Sequence, residues 1–232
     1  LRDVAETNKD AGLCDEIKDQ YKKDKCLTAV VFKTGELAPC EKVETLSSKN
    51  NCYQYASKNS SDFSICQKIK DSDSSFDDCV WNVARNSNKI DYCRDMKDDQ
   101  RHDNCIQNFV NQDREVGYCT KMRSADTRDK CIIARAAKDD DLSICYQITT
   151  ESGRDECVKQ VAVNRVSFDD CEEIKSDNLR TECLNEIVTR CNSLKTNKWA
   201  VLPDDCDEDA LLNRNIPEHA PADTVYDQPA DQ

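Results

Sequence analysis

Cysteine is the residue of this chain with the most chemistry to offer. Sixteen of the 232 residues are cysteines, against two histidines. Thiolates bind zinc, attack electrophiles or oxidise in pairs, and their spacing separates these roles. Structural zinc sites want close pairs such as C-x2-C, often joined by histidine. Here no two cysteines lie closer than Cys183 and Cys191, and the histidines are His102 and His219. An even number of cysteines at regular spacing instead reads as disulfides formed in an oxidising compartment.

Little else in the chain suggests chemistry. A nucleophile needs a base and an orienting group, and two histidines offer few bases. His102 stands where other repeats carry Lys23, Lys49, Arg128, Arg154 and Arg180. These are cations near the start of a helix, either paired with neighbouring acids or forming a positive ladder that could dock an acidic partner. Asp71-x-Asp73-x-Ser75-x-Asp77 mimics the start of a calcium loop, but Phe76 takes the place of its glycine and Asn82 that of its last glutamate. No Gly-rich phosphate loop, haem attachment motif or HExxH is present. The expectation is a protein that is not an enzyme, with no cofactor and no metal site.

The elements that must position the cysteines follow from their register. They fall at 14, 26, 40, 52, 66, 79, 93, 105, 119, 131, 145, 157, 171 and 183, in alternating steps of 12 and 14 with a single 13. The period is 26 residues, repeated seven times. Three residues before the first cysteine of each copy stand Ala11, Leu37, Phe63, Ile90, Val116, Leu142 and Phe168; three after stand Ile17, Val43, Ile69, Met96, Met122, Ile148 and Ile174. All are apolar and mark one face of a short helix. After the second cysteine come Leu27, Tyr53, Val80, Ile106, Ile132, Val158 and Leu184, then pairs such as Val30-Val31, Val83-Ala84, Phe109-Val110, Val161-Ala162 and Ile187-Val188. That is the buried stripe of a second helix, broken at Arg135, whose long stem can carry its charge outward.

Polar stretches such as 71–75 and 149–153 join the two helices, with Asp62, Asp141 and Ser167 as N-caps of the first. Two residues before the second cysteine, six copies place Asp24, Asn50, Asp77, Asp103, Asp129 and Asp155, which would complement the dipole of the second helix. The 12-step pair brackets its linker evenly, so the expected disulfides are Cys14–Cys26, Cys40–Cys52, Cys66–Cys79, Cys93–Cys105, Cys119–Cys131, Cys145–Cys157 and Cys171–Cys183, leaving Cys191–Cys206. The fold expected is all-α: a solenoid of seven disulfide-stapled helical hairpins with an extended C-terminal tail. Residues 1–10 read as a polar lead-in able to extend the first helix, 11–190 as the repeats, 191–206 as a cap helped by Trp199 to Pro203, and 207–232 as an acidic, proline-containing tail.

These paired-cysteine hairpins resemble disulfide-stapled α/α repeat proteins, of which cysteine-rich Sel1-like repeats are an example, from Ala11 to about Cys191 at the level of architecture. The period here is shorter, and the glycine and alanine signature of that family is missing. The stretch Asp141-Leu-Ser-Ile-Cys145 followed by Arg154-Asp-Glu-Cys157 also resembles repeats of uncharacterised secreted prokaryotic proteins. That resemblance implies a surface or extracellular location and no defined activity.

Composition narrows the partners. Net charge is −13, which disfavours nucleic acid and anionic membranes. The longest apolar stretch, Leu27 to Phe32, is too short to span a bilayer, so no membrane insertion is expected. A chain that begins at Leu1 fits an exported protein whose signal has been removed. Asn59-Ser60-Ser61 is a possible glycosylation site. Leu211, Leu212, Ile216, Val225 and Tyr226, spaced among acids, could form an assembly arm that reaches a second copy. The expected role is an extracellular structural protein that self-associates head to tail, as a surface or filament subunit. The competing expectation is a monomeric scaffold that binds a protein or a glycan.

Overall fold

The computed structural model describes residues 2–113 and 115–196, together with Pro203 and Cys206. Every described element is helical, in an all-α repeat fold with regularly spaced disulfides. A short helix, α1 (Arg2–Asn8), comes first. The second helices of copies one to six are α2 (Gln20–Thr34), α4 (Leu46–Ser57), α5 (Asp73–Ser87), α6 (Asp99–Asp113), α7 (Ala125–Asp139) and α8 (Glu151–Arg165). That of copy seven is α10 (Asp177–Thr196).

The first segment of each copy is tighter than an α-helix. In five copies it is a 3-10 helix: Ala11–Glu16, Phe63–Lys68, Ile90–Asp95, Val116–Lys121 and Leu142–Gln147. In copies two and seven it is a single α-turn, α3 (Ala38–Glu41) and α9 (Phe168–Cys171). The spacing is compatible with this form, because apolar residues three apart eclipse one another on a helix of three residues per turn. Asp62 and Asp141 accept from the backbone N–H two residues on, and Ser167 from that of Asp170.

The second helices stop in two ways. Gly35, Asn88, Asp140 and Val166 adopt left-handed backbone, the usual helix stop. α4 lacks such a stop, with Lys58 still right-handed. There the side-chain amide of Asn86, on the next copy, donates to the carbonyls of Ser57, Lys58 and Ser60 at 3.2, 2.8 and 3.0 Å. A donor from the neighbour thus replaces the missing local cap.

α1 does not extend the first segment of copy one. It reproduces the end of a second helix: Lys9 is left-handed (φ 56) and the Asp10 N–H donates to the Ala5 carbonyl at 3.0 Å. The same arrangement joins Lys89 to Ala84, Asp141 to Ala136 and Ser167 to Ala162.

The acids before the second cysteine do something other than complement a dipole. Asp24, Asp77, Asp103 and Asp155, with Asn50, lie beyond the first turn, fully or nearly buried, and bind the backbone of the following copy, whereas Asp129 is partly exposed and pairs with Arg128 at 3.2 Å. Asp24 accepts from the N–H groups of Glu44 and Thr45 at 3.1 and 2.8 Å. Asp77 accepts from Lys97 and Asp98 at 2.7 and 2.9 Å, and Asp103 from Arg123 and Ser124 at 2.8 and 3.0 Å. Asp155 accepts from Lys175 and Ser176 at 3.3 and 2.9 Å. Asn50 makes the neutral version, donating to the Lys70 carbonyl at 2.6 Å and accepting from its N–H at 3.2 Å. Each side chain satisfies linker amides that would otherwise be left without partners.

The chain divides into two compact units, Leu1–Cys131 and Ile132–Gln232. The interior of the first is built from its cystines with Leu27, Val30, Val31, Val80, Val83 and Ile106. That of the second centres on Ile148, Val161, Phe168, Ile174 and Ile187. Arg135 does not lead its charge outward: its side chain is buried and pairs with Asp139 one turn on.

Candidate interaction surfaces

The disulfides join Cys14–Cys26, Cys40–Cys52, Cys66–Cys79, Cys93–Cys105, Cys119–Cys131, Cys145–Cys157 and Cys171–Cys183, each inside one copy, and Cys191–Cys206. Cα–Cα distances run from 5.3 to 5.9 Å. These bonds occupy all the cysteines, so no free thiol is present.

The cations ahead of the second cysteine are tied down within their own copies. Lys23 pairs with Asp15 at 3.0 Å, and Lys49 donates to the Glu41 carbonyl at 3.3 Å. Arg154 and Arg180 donate to the carbonyls of Ile148 and Ile174, which close the preceding segments. His102 is buried, with Nδ1 2.8 Å from Asp103. They form bridges inside each hairpin rather than one docking edge. The calcium-like stretch is likewise committed: Ser72 caps α5, and both Asp77 oxygens bind linker amides.

A groove of 580 Å³ runs over α1, α2 and α4 in the first unit. Its aromatic members are Tyr21, Phe32 and Tyr55, with Asn51 and Thr28 beside them. Phe32 meets Tyr55 edge to face at 5.2 Å, and yet Tyr21 and Phe32 remain 57% and 49% exposed. Lys25 lies 4.4 Å from the Tyr21 ring centre, and Lys58 lies 4.8 and 4.9 Å from those of Phe32 and Tyr55. Exposed rings carrying cations beside amide and hydroxyl groups can stack on or hydrogen-bond a polar ligand.

The outer edge of copy one is unlike the same edge of every other copy. Val43, Ile69, Met96, Met122, Ile148 and Ile174 are buried, whereas their equivalent Ile17 is only half-buried. It borders a 310 Å³ cavity lined also by Arg2, Lys22 and Lys25.

In the second unit a 660 Å³ groove lies along α10, with Val163 of α8 on one side and Asn178, Asn185 and Ser193 among its polar lining. Lys159 reaches Glu182 at 2.8 Å and Glu186 at 3.3 Å. Burial pushes its ammonium pKa down, but the bond to Glu182 and the charges of Glu156 and Glu186 outweigh this and leave it raised. The exposed Glu182 carboxyl is lowered in turn by its bond to Lys159. Copy seven carries Thr181 where six copies carry an acid or amide, and its hydroxyl turns back onto the Asp177 carbonyl.

Asn59 is exposed just beyond α4, as a glycosylation acceptor must be. The proposed arm residues Leu211, Leu212, Ile216, Val225 and Tyr226, and the cap residues Trp199 to Leu202, lie outside the described residues. Sequence reasoning missed the aromatic groove, because Tyr21 and Phe32 fall outside the repeating stripe. The bonds between copies were also missed, although Thr181 in the last copy was a usable signal.

Fold and surfaces together define a disulfide-stapled, all-α repeat protein. Compared with known proteins, the chain matches no family model, no curated protein and no solved structure. The disulfides fit an oxidising environment, and among the described residues no helix is long and apolar enough to cross a membrane.

Proposed function

We propose that this is an exported, non-enzymatic structural protein that works outside the cell by associating with copies of itself. The observation carrying this reading is the edge of copy one. In six copies the apolar residue three after the first cysteine is buried, and in copy one Ile17 keeps part of its surface exposed beside a cavity. An apolar side chain left partly exposed beside a cavity on a repeat protein favours association. The expected result is an average mass, by multi-angle light scattering, that rises with concentration through the micromolar range. A mass fixed at the monomer value of 26.4 kDa would overturn the reading.

A second reading rests on the groove of Tyr21, Phe32 and Tyr55: a monomeric scaffold that holds a protein or glycan against exposed rings. Replacing Tyr21 and Phe32 together by alanine would abolish such binding and leave association unchanged.

A further inference from the structure

We propose that the cavity shared by copies three, four and five binds a sugar ring that carries a single carboxylate. This cavity, of 480 Å³, lies wholly within the first unit. It shares no lining residue with the copy-one cavity or with the groove of Tyr21, Phe32 and Tyr55, and its occupation does not depend on self-association.

Two of its residues depart from the repeat. Three residues before the second cysteine, the other copies carry Lys23, Lys49, His102, Arg128, Arg154 and Arg180, whereas copy three carries Phe76. One residue after the first cysteine, the other copies carry Asp15, Glu41, Gln67, Thr120, Tyr146 and Glu172, whereas copy four carries Arg94. Packing does not ask for either. Phe76 is only half-buried, and the Arg94 side chain is 82% exposed. A ring and a guanidinium, each foreign to its place in the repeat, therefore line one cavity.

The other walls extend the same two chemistries. Phe63, which opens the copy-three segment, supplies a second ring and stacks on Tyr92 with centroids 4.7 Å apart. Lys97 holds its ammonium 5.3 Å from the Phe76 ring centre and makes no ion pair among the described residues. The pairing of Arg94 with Asp95 is loose, at 3.9 Å. Arg123 is the fixed cation. Its guanidinium donates to Asp99 at 2.9 Å and to the Arg94 and Met96 carbonyls at 2.8 and 3.0 Å, with donors to spare. Three cations and one acid, Asp95, thus surround two phenyl rings.

The groups left uncommitted select the ligand. An extended peptide would need backbone partners. The N–H groups of Lys97 and Asp98 are taken by Asp77, and that of Arg123 by Asp103. Arg123 takes the carbonyls of Arg94 and Met96. Recognition falls to the rings, the cations and the side-chain amide of Gln67. The rings suit the flat C–H face of a sugar and the cations a carboxylate, while Gln67 and Asp95 can bond its hydroxyls. A densely charged polymer fits poorly. The net charge of −13 repels it, and the local excess of cations suits one anionic group.

The test titrates the full chain, labelled with nitrogen-15, with glucuronate. Its readouts are the Gln67 side-chain amide and the backbone amides of Met96 and Lys97. Saturable shifts are expected, with a dissociation constant on the order of 1 mM. Glucose, which lacks the carboxylate, should bind about tenfold more weakly, and so should acetate, which lacks the ring. The double variant Arg94→Ala/Lys97→Ala, at exposed positions, should lose about tenfold in affinity for glucuronate, whereas the charge-conserving Arg94→Lys/Lys97→Arg should keep most of it. The absence of saturable shifts at tens of millimolar would overturn the inference. So would glucose or acetate binding as tightly as glucuronate, or an affinity that the alanine variant leaves unchanged. Tighter binding of an acidic peptide or of a nucleoside monophosphate at the same resonances would assign the cavity to another class of ligand, and would overturn it as well.

Discussion

Asp24 has no exposed surface, yet the fold favours its charged form. Burial pushes its carboxyl up, but bonds from Thr45, Glu44 and Gln20 together outweigh that and hold it below the ordinary value. A depressed carboxyl contributes stability that is fully present above the ordinary pKa of about 3.9 and is lost as pH falls through the lower folded value. Amide exchange at Glu44 and Thr45, corrected for intrinsic rates, should therefore quicken below about pH 4. Unchanged protection at those amides down to about pH 2 would exclude the linkage. Substitution gives the complementary test. Asp77→Ala leaves the amides of Lys97 and Asp98 without an acceptor and should cost about 2–4 kcal/mol in denaturant unfolding. Asp77→Asn should cost about half as much, since Asn50 shows that an amide can hold the same seam. Thr181→Asp should change far less, because the Thr181 hydroxyl bonds within its own helix, to the Asp177 carbonyl. Equal costs at positions 77 and 181 would mean that these acids act on their own helices. The recurring acid was legible in the sequence, but its partner was not. The bond spans 20 or 21 residues and depends on how the next copy packs, while a helix dipole offers a local explanation for the same position.

Among the elements, the period and the apolar stripes were legible because burial repeats wherever the neighbours repeat. The 3-10 form of the first segments was not read, since a spacing of three apolar residues suits an α-helix nearly as well over one turn. Nor does the end of α4 show in the sequence, for its cap is Asn86 on the following helix. Asn86→Ala should fray that end, at a cost of about 1–2 kcal/mol, with exchange rising between Ser57 and Ser61. No change there would make the amide incidental. Cross-links act on the same scale. Replacing Cys40 and Cys52 together by alanine removes a loop closure worth roughly 3 kcal/mol. Because α4 packs on α2 and α5, these helices should lose protection before α6 does. Simultaneous loss across the first unit would show that it opens as one body.

Across the whole molecule, the cross-links decide whether the chain folds at all. Aromatic residues are 6% of the sequence and charged residues 34%, so each copy buries few large side chains. Among the described residues Phe168 is the largest fully buried one. Each intra-copy disulfide closes a loop of 12 or 13 residues, which the chain-entropy model values at roughly 3 kcal/mol. Seven of them sum to about 20 kcal/mol, above the total stability of about 5–15 kcal/mol usual for a folded domain. The contributions need not add fully, but even half the sum is comparable with that total. Complete reduction near neutral pH should therefore abolish most of the far-ultraviolet helical signal at room temperature, and reoxidation should restore it. The hydrogen bonds between copies cannot compensate, since they join linkers that exist only when the hairpins are closed. This outcome would also account for the compartment, because a reducing cytosol would hold the chain unfolded. A fully reduced chain that kept its helical signal and its cooperative thermal transition would show instead that packing alone specifies the fold, with the disulfides adding only resistance to unfolding.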